Sequence, residues 1–438
     1  MSAALIVQPS AGPLIGSVRP PGDKSISHRA AILGGLADGQ TEIEGFLEAE
    51  DTLATLGAMQ ALGARVERDR TRVRIRGGRL RAPRDALDLG NSGTGIRLLT
   101  GALCGHPDLI DERLVLVGDA SLSRRPMQRI VTPLAMMGAR IETTEGCAPL
   151  AVRPRALTGI EYACPVASAQ VKSALLLAGL FAGGTTRVLE PGPSRDHTER
   201  MLPSFGQPVH CAGQRVELTG RGALSASRVA VPGDLSSAAF AMAAAVLVRE
   251  SRVRVESVGI NPTRNGLLRI LEAMGVPSLG PDVSSAPGHA SGEPVVDFDV
   301  RSPESLTGID IPAEWVPLAI DEFPLVMALA AAASGKTSIT GAAELRVKES
   351  DRLAVMVRQL QRLGVEAEER SDGAVIHGGR VRGGRVDAEG DHRIAMSLAV
   401  LALVAEAPVI IDGAEWIRTS YPGFVDAMTG IGASLAWR

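Results

Sequence analysis

Six times along the chain an amphipathic stretch closes on a small or apolar residue, then Gly, then usually Val or Ala. The endings are ALGARVE at Gly63, MMGARIE at Gly138, SFGQPVH at Gly206, AMGVPSL at Gly275, RLGVEAE at Gly364 and GIGASLA at Gly432. Glycine after a helix accepts the left-handed backbone that stops it, and the β-branched or alternating residues that follow read as a strand. The units also open alike, with a polar turn running into an Ala/Leu-rich helix, a Gly turn and a short strand. Examples are SHRAAILGGLADGQTEIEGF, SSAAFAMAAAVLVRESRVRVESV and HRIAMSLAVLALVAEAPVIIDGA. These opening helices are apolar nearly all round, which places them inside, with sheets outside. That reverses the usual layered α/β arrangement. Ordinary amphipathic segments ending on Gly are the alternative, and the near-regular spacing argues against it.

A chain of 438 residues exceeds what one core supports, so six similar units imply two domains with three units each. Pro232 and Gly233 in VAVPGDLSSAAF interrupt the pattern just before the fourth unit and mark a boundary. The loop-like stretch from about Gly280 to Pro294 reads as an insertion, because strand-like VVDFDV follows. A net charge of -3 with both signs dispersed excludes an electrostatic footprint for nucleic acid or a membrane surface, leaving a small-molecule partner. Cys104, Cys147, Cys164 and Cys211 are widely spaced and no HExxH pair occurs, so no metal site is expected. The expectation is a cytoplasmic protein whose cysteines are unpaired core residues, with neither a secretory signal nor a membrane span.

Of forty-six Lys and Arg residues only Lys24, Lys172, Lys336 and Lys348 are lysines. Guanidinium stays protonated whereas an ammonium changes its pKa on burial, so a lysine kept in an arginine-rich chain points to proton transfer. In PGDKSISHRA, Lys24, Ser25 and Arg29 sit at a turn and helix start, a receptor for phosphate or carboxylate. LGNSGTGIR bares its backbone at Gly93 and Gly95, with Arg97 a turn later, yet matches neither GxGxxG nor a P-loop. GDASLSRRPM adds Arg124 and Arg125, and ASAQVK adds Ser168, Gln170 and Lys172, the last read as a lysine reaching the solvent edge. RVKESDRL is the densest stretch; Lys348 and Arg352 would share a face if it were helical. Asp321 and Glu322 precede one apolar helix, and Asp391, His392 and Arg393 open another. The surplus of cations at helix starts suits a site holding two phosphorylated or carboxylated molecules.

PGDKSISHRA, GNSGTGIR, GDASLSRRPM, ASAQVKSALLLAGL, SRDHTERML, RVKESDRL and GDHRIAMSLA occur in this order over essentially the whole chain. Together they resemble the EPSP synthase family of enolpyruvyltransferases. The resemblance implies a two-domain inside-out α/β barrel of six βαβαββ repeats, three per domain. Residues 1–22 with 235–438 would form one domain and 23–234 the other, closing on the substrates between them. The implied reaction transfers the enolpyruvyl group of phosphoenolpyruvate to the 5-hydroxyl of shikimate 3-phosphate, releasing phosphate in aromatic amino-acid biosynthesis. No cofactor is implied. Asp321 would accept the hydroxyl proton, and Lys24 and Glu349 would share proton transfer at the methylene and leaving group. Lys24, Ser25, Arg29, Ser168, Gln170, Arg195, Asp321 and Lys348 would contact shikimate 3-phosphate. Lys24, Gly93, Arg125, Gln170, Arg352 and Arg393 would contact phosphoenolpyruvate.

Two departures stand out. IRTSYPGF has Thr419, beside Arg418, where many members carry a lysine, and Arg195 lies near Asp196 where another branch has a tyrosine. Glyphosate occupies the phosphoenolpyruvate site in this family. Gly93 lacks the methyl group of resistant branches, whereas the overall motif style resembles them; sensitivity is the expectation. The resemblance also favours a monomer. The sister enolpyruvyltransferase acting on UDP-N-acetylglucosamine has a cysteine where this chain has Ala120. A non-catalytic anion-binding scaffold would use the same cations but gain nothing from Asp321 and Glu349.

Overall fold

A computed structural model describes residues 3–220, 222–277, 279 and 292–438. The described chain divides into two compact units. The insert unit holds Gly22–Val231 with Gly292 and Glu293, and the flanking unit holds the described residues before and after it. Most of the 280–294 stretch lies outside the described residues.

Each unit is three times the same motif. Leu87–Asp88 runs parallel to Leu114–Val117, which pairs antiparallel with Cys147–Arg153, which in turn pairs with Arg140–Thr144. The same order recurs with Glu161–Ala163, Thr185–Leu189, Arg215–Thr219 and His210–Ala212. The first repeat of the insert unit is completed from its far end. Arg228–Ala230 pairs parallel with Ala37–Glu44, which precedes it by almost the whole unit. The flanking unit closes likewise, since Leu5–Val7 lies between Val409–Asp412 and Leu435–Trp437, with Leu5 opposite Ile411 and Trp437.

An inner helix leads into the second strand of each repeat: Lys24–Leu36, Gly93–Cys104 and Ala169–Gly179 in the insert unit, Leu235–Leu247, Phe323–Ala332 and His392–Ala402 in the flanking unit. From Ile26 to Leu36 every residue of the first is buried, and Leu235 to Val246 are all buried in the fourth. Sheets therefore lie outside and helices within, each unit enclosing its own hydrophobic core. Small residues allow this packing: a Cβ on Gly101 would lie 2.3 Å from the carbonyl oxygen of Ala174 on the next inner helix. The helical run Ala313–Ala332 is long and apolar enough to cross a membrane by composition, but most of it is buried in the flanking core.

The second helix of each repeat is amphipathic and ends at one of the six glycines. Gly63, Gly138, Gly206, Gly275, Gly364 and Gly432 all have φ between +81° and +105°, the region only glycine enters without a Cβ clash. All four cysteines are free; Cys104 and Cys164 are buried, but Cys211 is exposed on a short strand, so it is not the core residue expected.

Candidate active site

Four of the six inner helices carry a side-chain cap, three from the anion-binding motifs and Asp234 from the segment read as the domain boundary. Asp23 accepts from the Ile26 amide at 2.9 Å, Ser92 from Gly95 at 2.9 Å, Asp234 from Ser236 at 2.8 Å and Asp391 from Arg393 at 2.9 Å. A cap holds the first turn rigid and leaves its remaining amides directed outward.

In the insert unit, Lys24 forms an ion pair with Asp51 at 2.5 Å. Arg29 is buried and donates from Nε to Thr198 at 2.7 Å, from Nη2 to Ser173 at 2.7 Å and from Nη1 to the Ser25 carbonyl at 2.9 Å. Burial lowers the Arg29 pKa to about 10, with Glu199 and Asp23 opposing the shift. His28 lies beneath Lys24, Nδ1 at 2.9 Å from the Thr55 hydroxyl. Burial first, then Lys24 and Arg29, hold its pKa well below the usual imidazole value. Gly93, Arg125 and Gln170 come together around Arg97. Arg97 donates to the Gln170 amide oxygen at 2.7 Å and to the Pro126 carbonyl at 3.1 Å, and Gln170 donates to Thr94 at 3.0 Å. A Cβ on Gly93 would lie 3.0 Å from Arg125 Nη1 and 3.1 Å from Arg97 Nη1. Arg125 donates to Asn91 at 2.5 Å. Ser168 precedes the third inner helix, and Arg195 is half-buried just before the helix His197–Met201.

Two residues of this cluster, Asn91 and Asp51, were absent from the sequence reading, whereas Arg97 was named there without a ligand. Asn91 lies inside a quoted motif, so its signal was present and unused. Asp51 carries no motif and pairs with Lys24 only through the fold. Lys172 corrects an expectation: it is 2% exposed, not at the solvent edge. Its ammonium lies 2.6 Å from Glu190 and 2.8 Å from Glu199.

In the flanking unit the centre is Arg352, 1% exposed. Its Nε meets Asp391 at 2.7 Å, Nη2 meets Glu349 at 2.5 Å and Nη1 meets Asp321 at 3.3 Å. Burial disfavours the guanidinium, but Asp391, Glu349 and Asp321 outweigh it and raise its pKa. Lys348 approaches Asp321 at 3.5 Å, and Arg393 donates to the Asp321 carbonyl at 3.0 Å. Lys348 and Arg352 do not share a helical face, because the helix starts only at Arg352, capped by Asp351. Both reach Asp321 regardless. Glu322 is buried, accepting from Ser236, to which Arg264 also donates at 2.7 Å. Thr419 is buried, bonded to the Trp416 carbonyl at 2.7 Å and 3.4 Å from His392, whereas Arg418 is exposed. The exposed cation at this departure is therefore Arg418.

Cations at capped helix starts, next to carboxylates that touch an ammonium and a guanidinium, define a class: a group transferase for anionic substrates on an inside-out α/β fold. The family model for EPSP synthase (3-phosphoshikimate 1-carboxyvinyltransferase) matches residues 9–428. A 3-phosphoshikimate 1-carboxyvinyltransferase of Nitrosococcus oceani is 51% identical, covering 99% of this chain and 96% of its own. One from Acidithiobacillus ferrooxidans is 53% identical, covering 94% of each. The solved structure of EPSP synthase from Acinetobacter baumannii aligns with a TM-score of 0.88 at 43% identity over 100% of both chains. The chain belongs to the EPSP synthase family.

Proposed function

We infer that the chain transfers the enolpyruvyl group of phosphoenolpyruvate to the 5-hydroxyl of shikimate 3-phosphate, releasing phosphate. The observation that carries this reading is Asp321, a carboxylate within reach of both Lys348 and the buried Arg352. The chemistry needs a base that stays ionised among anionic substrates, and flanking cations keep a carboxylate so. In the addition step the 5-hydroxyl gives its proton to Asp321 as its oxygen bonds to the central carbon of phosphoenolpyruvate. The methylene carbon takes a proton from the pair Lys24 and Glu349. In the elimination step the new methyl group returns a proton, the carbon–oxygen bond to phosphate breaks, and the leaving phosphate departs protonated with the hydroxyl proton.

The residue set follows from the same reading. Ser25, Arg29, Ser168, Gln170, Arg195 and Lys348 hold shikimate 3-phosphate together with Lys24 and Asp321. Gly93, Arg125, Gln170, Arg352 and Arg393 hold phosphoenolpyruvate with Lys24. Arg97 supports this second group through Gln170, and Arg418 supplies a cation near the departure at Thr419. Each unit contributes three repeats and part of the set. Glyphosate competes with phosphoenolpyruvate, the bare Gly93 leaving room for it. The enzyme acts as a cytoplasmic monomer.

A coupled phosphate-release assay with phosphoenolpyruvate tests the activity. Turnover with shikimate 3-phosphate is expected. Turnover only with UDP-N-acetylglucosamine would assign the sister reaction, and none with either acceptor would leave an anion-binding scaffold.

A further inference from the structure

Lys172 is one of four lysines in the chain, and the reaction as assigned does not use it. It lies one turn into the inner helix Ala169–Gly179, with 3% of its side chain exposed. Its two carboxylates come from different elements. Glu190 follows the strand Thr185–Leu189, and Glu199 belongs to the helix His197–Met201. Both are buried, with side chains 5% and 4% exposed.

What these carboxylates do next gives the triad its meaning. Glu190 turns one oxygen to Lys172 and the other to the Ser168 amide, at 3.3 Å. Glu199 anchors the short helix whose preceding loop carries Arg195. On that helix Thr198 accepts from Arg29 Nε at 2.7 Å and donates to Ser173 at 2.7 Å, and Ser173 also accepts from Arg29 Nη2. The ammonium thus ties together the backbone of Ser168, the helix after Arg195 and the hydroxyl pair holding Arg29. Burial works against the Lys172 ammonium, but Glu199 and Glu190 outweigh it and raise its pKa. Two buried carboxylates on one ammonium fix its position, which suits a strut rather than a proton shuttle.

We propose that Lys172 is the positioning residue of the shikimate 3-phosphate side, holding Ser168, Arg29 and Arg195 in register without touching the substrate. The inference rests on the assignment of those residues to that ligand. It separates Lys172 from Lys24, which the same compositional signal singled out: one lysine persists for proton transfer, the other as a three-way strut.

The test compares wild type, Lys172→Met, and the charge-balanced pair Lys172→Met with Glu199→Gln, which removes one cation and one carboxylate together. In both variants KM for shikimate 3-phosphate rises roughly tenfold, since small misplacements of binding groups are costly. KM for phosphoenolpyruvate and kcat stay within about twofold, because the groups that touch the reacting atoms are unchanged. Should Lys172→Met fold poorly, the balanced pair recovers thermal stability without recovering KM, which a purely structural role would not produce. Unchanged KM for shikimate 3-phosphate in the folded pair overturns the proposal, as does a uniform loss that tracks the folded fraction. Wild type inactive with shikimate 3-phosphate overturns the functional assignment and the proposal with it.

Discussion

Arg29 of the insert unit and Arg352 of the flanking unit are both buried guanidinium groups, yet their surroundings are opposite in kind. Arg29 is held by two hydroxyls and a backbone carbonyl, while Arg352 is ringed by Asp391, Glu349 and Asp321. The contrast extends to neighbours: Arg97 and Arg125 lean on Gln170, a carbonyl and Asn91, whereas Lys348 approaches Asp321. Hydroxyl, amide and carbonyl partners orient these guanidinium groups through hydrogen bonds, an arrangement suited to binding an anion. Carboxylate partners cancel charge and create groups that accept protons, so the flanking cluster is arranged for chemistry. Two insert lysines depart from this pattern: Lys172 meets Glu190 and Glu199, and Lys24 meets Asp51. Lys24 is the insert residue to which proton transfer is assigned.

The sharpest way to break this contrast is to neutralise one carboxylate of the flanking cluster. Asp321→Asn is expected to lower kcat by about 10²–10⁴-fold, the range for losing a general base, as measured by steady-state phosphate release. Lys24→Arg keeps charge but not the titratable ammonium, and a kcat loss of about 10²-fold is expected; near-normal turnover would remove Lys24 from proton transfer. Asp391→Ala removes a partner of the buried Arg352 together with a helix cap. Chemical denaturation should show a loss of about 3–5 kcal/mol.

Smaller effects sharpen the insert side. Gly93→Ala places a methyl against the guanidinium tips of Arg125 and Arg97, so KM for phosphoenolpyruvate should rise roughly fivefold, equivalent to about 1 kcal/mol, with glyphosate inhibition weakened alongside. Unchanged inhibition would separate glyphosate from this position. The smallest effect is a pH dependence of stability. His28 binds its proton near pH 6.5 when unfolded and well below that when folded. Its contribution is complete above pH 6.5 and is lost as pH falls through that value toward the folded pKa. His28→Gln should flatten that part of a thermal-stability profile in the full chain.

The fold was legible in the sequence to the extent that it is repetitive. Six glycines with left-handed φ and six helices apolar on every side are local signals, and each repeat restates them. Most candidate residues were legible because they sit at inner-helix starts, where motif and structure coincide. Contacts between distant segments were not. Asp51 reaches Lys24, and Glu190 and Glu199 reach Lys172, only after strands and helices far apart in sequence have packed. Lys172 misled because a lysine on an apolar helix ordinarily extends its stem to water; nothing local announces two buried carboxylates. RVKESDRL is helical only from Arg352, where the Asp351 side chain caps the first turn by accepting from the Ala354 amide, so the shared face read conditionally for Lys348 and Arg352 does not form.

The account's central claim is that the flanking cluster adds proton-accepting carboxylates to its binding cations, whereas the insert cluster is built mainly to bind. One titration of Glu349→Gln with shikimate 3-phosphate by calorimetry, set beside its phosphate-release rate, tests it most directly. The claim predicts a dissociation constant within about threefold of wild type, under 1 kcal/mol, with turnover reduced at least about 10²-fold. Binding lost while turnover at saturation persists would contradict it.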